Sequence, residues 1–343
     1  MQKRLRISGH GSRTVFLITT LGLSLACEGG VSPEQQLPIG AMVTALGNDF
    51  SGWATPVNAE LDSGLFNTSS LDGCPFISPD GKTFYMASNR PGGHGGLDIW
   101  VSVRASENDP WGDPENVTSV NTAQDDFCPT MSRDGQLLYF VSATPGCGMG
   151  DVYVARRRPD GFDPAVMLPC DGTAPYDAVN SPFNEFSPFP QLDPGVGPTL
   201  YFSSFRPGGF AAEPAGGTPD SDLYWSVSRG GVFGAVELIP GVNTTSDDGQ
   251  PNVSSDGLEL FFYSTRPGGV GAADLYVASR VRAVDAWSAP SNLGVTVNST
   301  QAETRPSLSW DGLSLYFGST RAGGEGSSDI WVTTRQRLVP LGH

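Results

Sequence analysis

The sequence predicts an all-β protein: a five-bladed β-propeller in which an N-terminal strand closes the last blade. Three observations carry this. One pattern recurs five times at a period of about 55 residues: Pro, Asp-Gly, two adjacent aromatics, Ser, Arg-Pro-Gly-Gly, Asp, then an apolar run ending at Arg. The clean copies are Pro75–Arg104, Pro251–Arg280 and Pro306–Arg335, and the looser ones Pro129–Arg157 and Pro188–Arg229. Glycine (44) and proline (28) are abundant beside 10% aromatic residues, the composition of a turn-rich β protein rather than a disordered one. Finally, one aromatic segment stands out of order. Trp111…Pro114, Phe162…Pro164, Phe233…Val236 and Trp287…Pro290 follow blades one to four, but only Gln336–His343 follows blade five, while Trp53…Pro56 precedes blade one. The leading segment is therefore expected to complete the last sheet and leave no blade open. A sixth blade would have no copy of the motif.

Blade one serves as template. Pro75–Ser78 is read as the innermost strand and Pro79-Asp80-Gly81-Lys82 as a tight turn in which Gly supplies positive φ. Thr83–Ser88 is the second strand, Arg90–Gly96 a hairpin loop and Asp98–Arg104 the third strand. The Trp/Phe…Pro segment supplies the fourth. Adjacent aromatics such as Phe84-Tyr85 point to opposite faces of a strand, so one of each pair packs between blades.

The chain divides into 1–26, 27–49, 50–335 and 336–343. Lys3, Arg4, Arg6 and Arg13 precede an apolar run, Thr14–Ala26, too short to cross a bilayer as a helix. This is a signal peptide pattern. Leu23-Ser24-Leu25-Ala26-Cys27 resembles a bacterial lipobox, which implies lipidation at Cys27 and membrane attachment through that anchor alone; residues 27–49 read as a tether. Loss of residues 1–26 takes the net charge from −16 to −20, because four basic residues leave and no acid does. Such a surface repels phosphate backbones, so no nucleic acid partner is expected. Cys74, Cys128, Cys147 and Cys170 remain, an even number in an exported chain. Of three pairings, Cys147–Cys170 with Cys74–Cys128 is favoured, although adjacent inner strands could stand too far apart for the second bridge.

Ser78-Pro79-Asp80-Gly81, Ser88-Asn89-Arg90-Pro91-Gly92-Gly93 and Asp98-Ile99-Trp100 resemble the TolB-type, WD-like β-propeller repeat family of bacterial envelope proteins. The likeness spans roughly residues 50–335. It implies a periplasmic or outer-membrane location and an envelope protein or glycan as partner. TolB carries a further N-terminal domain, for which Cys27–Trp53 is too short, so TolB's own role is not expected.

One register recurs in every blade. An acid stands three residues before each inner-strand Pro (Asp72, Asp126, Glu185, Asp248, Glu303), and an Asn stands eight before it (Asn67, Asn121, Asn180, Asn243, Asn298). The five acids are expected to ring one mouth of the channel. Two readings stand side by side. The ring could hold a cation such as calcium or act as a funnel, or each acid could cap its own loop and pair with Arg90, Arg206, Arg266 or Arg321. Blade two has Thr144 in place of Arg, which leaves Asp126 without that partner. Blade three has expanded loops, Cys170–Asn184 and Arg206–Asp222, on the same face. Asp126, Glu185 and Asp248, with Tyr176, Phe183 and Phe210 from those loops, are the candidate ligand-binding residues.

With His94 and His343 as the histidines after processing and no CxxC, neither a His-based metal site nor a Ser-His-Asp triad is expected, and no cofactor is. Two carboxylates can suffice for glycoside cleavage, which keeps a carbohydrate-active enzyme as the alternative to a protein- or glycan-binding scaffold. The interchangeability of the acids argues against it, because a general acid and a base need different surroundings.

Overall fold

A computed structural model describes residues 50–59, 66–173, 176–210 and 220–338. The expected signal peptide, Cys27 and the expected tether lie outside the described residues, as does the end of the tail. Five antiparallel sheets form the propeller. The chain opens with β1 (Val57–Asn58). Blade one follows as β2 (Asp72–Ile77), β3 (Thr83–Ser88), β4 (Asp98–Val103) and β5 (Glu115–Asn116). Blade two comprises β6 (Asp126–Met131), β7 (Leu137–Ser142), β8 (Asp151–Arg158), a short β9 (Gly161–Phe162) and β10 (Val166–Met167). Blade three comprises β11 (Glu185–Asp193), β12 (Gly197–Ser204), β13 (Asp222–Arg229), a short β14 (Val232–Phe233) and β15 (Glu237–Leu238). Blade four runs through β16 (Asp248–Val253), β17 (Glu259–Ser264), β18 (Asp274–Ser279) and β19 (Ser291–Asn292). Blade five has β20 (Glu303–Leu308), β21 (Ser314–Ser319) and β22 (Asp329–Thr334), and its fourth strand is β1.

The closing strand repeats the register of an ordinary blade. Asn58 pairs with Trp331 and Val57 with Val332, as Asn116 pairs with Trp100 and Glu115 with Val101. The outer strands differ from expectation in one respect. Where the segment ends in Pro, the pairing of the outer strand begins one or two residues beyond it, because proline has no N–H to give the ladder, while Phe162 and Phe233 themselves pair with the third strand in the short β9 and β14. The tryptophans instead stack under the arginine that ends the third strand. Arg104 lies 4.2 Å from the Trp111 ring centroid and Arg280 3.9 Å from that of Trp287. Arg335 lies 4.6 Å from Trp53, so the displaced tryptophan takes the same place.

Neighbouring blades are joined by polar contacts that the repeat supplies five times. Each loop Asn presents its amide to the third strand of the preceding blade, where the two-residue outer strand ends. Asn121 accepts from Ile99 N–H and donates to Ile99 C=O, and Asn67 does the same to Ile330 across the closure. The backbone N–H of each acid donates to the preceding blade: Asp72 to Ser328, Asp126 to Leu97, Glu185 to Gly150, Asp248 to Ser221 and Glu303 to Ala273. Apolar packing fills the rest. Phe84 and Tyr85 are both buried, as are Phe261 and Phe262, because both faces of each second strand meet a neighbouring blade.

Both disulfides form in the favoured pairing. The separation between adjacent inner strands proves short enough: Cys74 and Cys128 stand 4.7 Å apart at Cα. That bridge closes a sequence separation of 54, which a loop-entropy account values at about 4 kcal/mol.

Candidate functional site

Every inner strand begins three residues earlier than its Pro, at the acid itself, and every one is broken by a bulge just after. Within the bulge a non-glycine residue takes positive φ: Cys74 (47°), Cys128 (51°), Ser187 (48°), Gln250 (58°) and Arg305 (57°). A left-handed conformation costs such residues about 1–2 kcal/mol each. A proline follows each one, and its fixed φ and missing N–H suit the break in pairing. The consequence is geometric. These five residues line the central channel, which narrows there to a cavity of about 30 Å³.

Above this waist, on the face where the inner strands start, the channel widens into a recess of about 240 Å³. Gln250 and Arg305 line it, with Phe127 and Phe186 from blades two and three, the Cys74–Cys128 bridge, and the loop residues Leu97 and Asp125. The aromatic side is continuous: Phe127 and Phe186 have ring centroids 5.8 Å apart, and Phe205 stands edge-on to Phe186 at 5.5 Å. The residue after each acid sets the shape of the mouth. It is Phe in blades two and three but Gly73, Gly249 and Thr304 in the others. The recess is thus walled by aromatics on one side and open on the other.

The acid ring is built differently from a funnel. Asp72, Asp126, Glu185, Asp248 and Glu303 have no exposed surface at all (0%). Each is sealed beneath its own loop. Asp72 accepts from the Thr68 N–H and hydroxyl, and Asp248 likewise from Thr244. Arg90, Arg206, Arg266 and Arg321 pair with Asp72, Glu185, Asp248 and Glu303 at 2.7, 3.1, 2.6 and 3.0 Å. The loop-capping arrangement is therefore the one formed, and among the described residues no group of three or more His, Cys, Asp or Glu is placed to hold a metal ion. Burial pushes the Glu185 carboxyl up to about 7 despite Arg206 beside it. Asp126 is the exception the sequence marks. Its Oδ2 accepts from Thr122 N–H, but its Oδ1 is buried without a partner among the described residues. Ser142, whose counterparts Ser204 and Ser319 donate to Glu185 and Glu303, donates instead to Thr144. Burial raises the Asp126 carboxyl above its ordinary range.

Among the described residues, none from the expanded loops of blade three lines the recess. Tyr176 and Phe183 pack against each other edge-to-face at 5.5 Å, and Phe210 is exposed; none of the three lines the mouth. Residues 211–219 of that hairpin lie outside the described residues. Sequence reasoning missed Arg305, Gln250, Phe127 and Phe186. A signal for them was present: in an otherwise repeated register the two residues between the acid and the inner-strand Pro change from blade to blade, reading Gly-Cys, Phe-Cys, Phe-Ser, Gly-Gln and Thr-Arg.

No protein-family model and no curated protein sequence matches the chain. Solved structures do. A glycoside hydrolase is 11% identical, with 89% of this chain and 97% of its own covered at a TM-score of 0.53. BT0996, solved as an RGII complex, is 12% identical, with 85% and 94% covered at 0.52. TolB from Acinetobacter baumannii is 14% identical, with 88% and 67% covered at 0.47. Sequence identities this low speak for a shared fold: this chain is a five-bladed propeller similar in architecture to the glycoside hydrolase and to BT0996.

Proposed function

We propose that this chain is an exported, lipid-anchored propeller that binds a glycan at the mouth of its central channel and does not cleave it. One observation carries the reading. Among the described residues, the axial recess that combines an aromatic wall with polar donors holds no carboxylate pair. Phe127 and Phe186 offer flat apolar surface, and Arg305 and Gln250 offer hydrogen-bond donors. At about 240 Å³ the recess falls below the roughly 300–1,000 Å³ of pockets for drug-sized ligands, which suits one sugar ring at the end or bend of a chain. The two disulfides fit an oxidising, exported setting.

Glycoside cleavage needs two accessible carboxyl groups flanking the scissile bond. The repeated acids are enclosed, and Asp125 is the one carboxylate among the described residues that lines the recess. Glu185 has the raised pKa of a general acid, but burial inside an ion pair causes it, out of reach of any substrate. A glycan array combined with a hydrolase panel on the mature protein tests the reading. Retention of a defined set of oligosaccharides without product release is expected. Product release abolished by Asp125→Asn would overturn the non-catalytic reading, and a blank array would overturn glycan binding.

A further inference from the structure

Arg305 narrows the ligand class. Most arginines on this face are spoken for: Arg90, Arg206, Arg266 and Arg321 each hold a carboxylate. The Arg305 guanidinium has neither a hydrogen bond nor an ion pair among the described residues, although its backbone N–H donates to Gln250 Oε1 at 2.8 Å. That contact fixes the Gln250 amide with its oxygen engaged and its Nε2 without an acceptor among the described residues. Two unsatisfied donor groups, one of them a full positive charge, therefore border the same recess.

The surroundings are shaped to keep the cation there. A Cβ at Gly73 would lie 3.0 Å from Arg305 Nη1, and one at Gly318 would lie 3.4 Å from it. The side chain thus crosses from blade five over blade one in space that those glycines leave open. Desolvation in this position lowers the guanidinium pKa, against a smaller opposing effect of Tyr263. What complements a planar guanidinium beside an amide N–H is a planar oxyanion held by paired hydrogen bonds. The acidic chain (net charge −16) disfavours a polyanion, so one negative group per ligand is the better match. Phe127 and Phe186 wall the blade-two and blade-three side of the mouth and suit the C–H face of a sugar ring.

We propose that Arg305 and Gln250 form a carboxylate subsite and that the bound glycan is an acidic one, its uronic-acid residue seated with the carboxylate on Arg305 and the ring against Phe127 and Phe186. This rests on the glycan-binding reading and names its substrate class.

Titration of the mature protein with sodium glucuronate, glucose, acetate, inorganic sulfate and a tripeptide with a free C-terminus tests it, read by calorimetry and by the Arg305 Nε–H resonance. Glucuronate is expected to bind at least about tenfold more tightly than glucose, with the preference lost in Arg305→Gln and partly kept in Arg305→Lys. Equal binding of glucose and glucuronate, indifferent to Arg305, would overturn the subsite while leaving glycan binding intact. Acetate or the tripeptide binding as tightly as glucuronate, with no contribution from the sugar, would keep the carboxylate chemistry and overturn the glycan. Sulfate binding more tightly than every carboxylate would overturn the class named. If Arg305→Gln does not fold, the wild-type resonance decides: no shift at saturating glucuronate refutes the proposal.

Discussion

Arg206→Ala is expected to remove about 3–5 kcal/mol of folding free energy, measured by chemical denaturation at pH 7. The side chain is only 3% exposed and does several things at once. It donates to the carbonyls of Tyr176, Ala178 and Val179, to the Ser204 hydroxyl and to Glu185, and it lies 5.2 Å from the Tyr224 ring centroid. Without it, three carbonyls lose a donor and a fully buried carboxylate loses its counter-charge. The pH dependence follows from Glu185. Its folded pKa of about 7 lies above the ordinary 4.5, so its contribution to stability is fully present below about 4.5 and is lost as pH rises through about 7. Removing Arg206 pushes that carboxyl higher still, so the loss is expected to be larger at pH 8 than at pH 5. Blade two supplies the contrast. Asp126 never had an arginine and leaves Oδ1 unsatisfied, so Asp126→Asn is expected to change stability by no more than about 1 kcal/mol. A loss below about 1 kcal/mol for Arg206→Ala would show that the ion pairs are not what hold these loops.

A chain that begins at Ala59 is expected to lose its single cooperative unfolding transition, because the ring is then open. Such a chain lacks β1, so the outer edge of β22 is left unpaired at Trp331 and Val332. It also lacks the Ala54 carbonyl that accepts from the Thr333 hydroxyl, and the Phe50 and Trp53 rings at 3.8 and 4.6 Å from Arg335. In the intact chain, Trp53→Ala alone is expected to cost about 3 kcal/mol, the lower end for truncating a packed tryptophan, since Trp53 is only partly buried. Calorimetry separates the cases. An unchanged, two-state transition in the shortened chain would mean that the leading strand decorates the last blade without closing it.

The closure was readable because it is an arithmetic property of the repeat: a Trp segment too many at one end and one too few at the other. Strand identities and the favoured disulfides were readable for the same reason, since the register places Cys74 and Cys128 at equivalent positions. The outer strands were misplaced by a few residues, because the conspicuous Trp and Pro mark the approach to the strand and the paired residues after them carry no signal of their own. The site was harder. Repetition drew attention to Asp72, Asp126, Glu185, Asp248 and Glu303, yet a residue demanded by every blade is what a scaffold requires. The bulge that turns Arg305 and Gln250 toward the axis depends on positive φ at residues that are neither Gly nor Asn, which no propensity announces. Tyr176, Phe183 and Phe210 were chosen for loop length, and length does not say in which direction a loop folds.

Recognition on this propeller is proposed to reside where the blades differ, at the axial mouth, while the repeated acids belong to the scaffold. Backbone amide shift mapping of the mature protein with the strongest oligosaccharide from the array separates the two roles. Perturbations are expected to centre on Phe127, Cys128, Phe186, Gln250 and Arg305. Perturbations centred instead on Tyr176, Phe183 and Phe210 would refute an axial site.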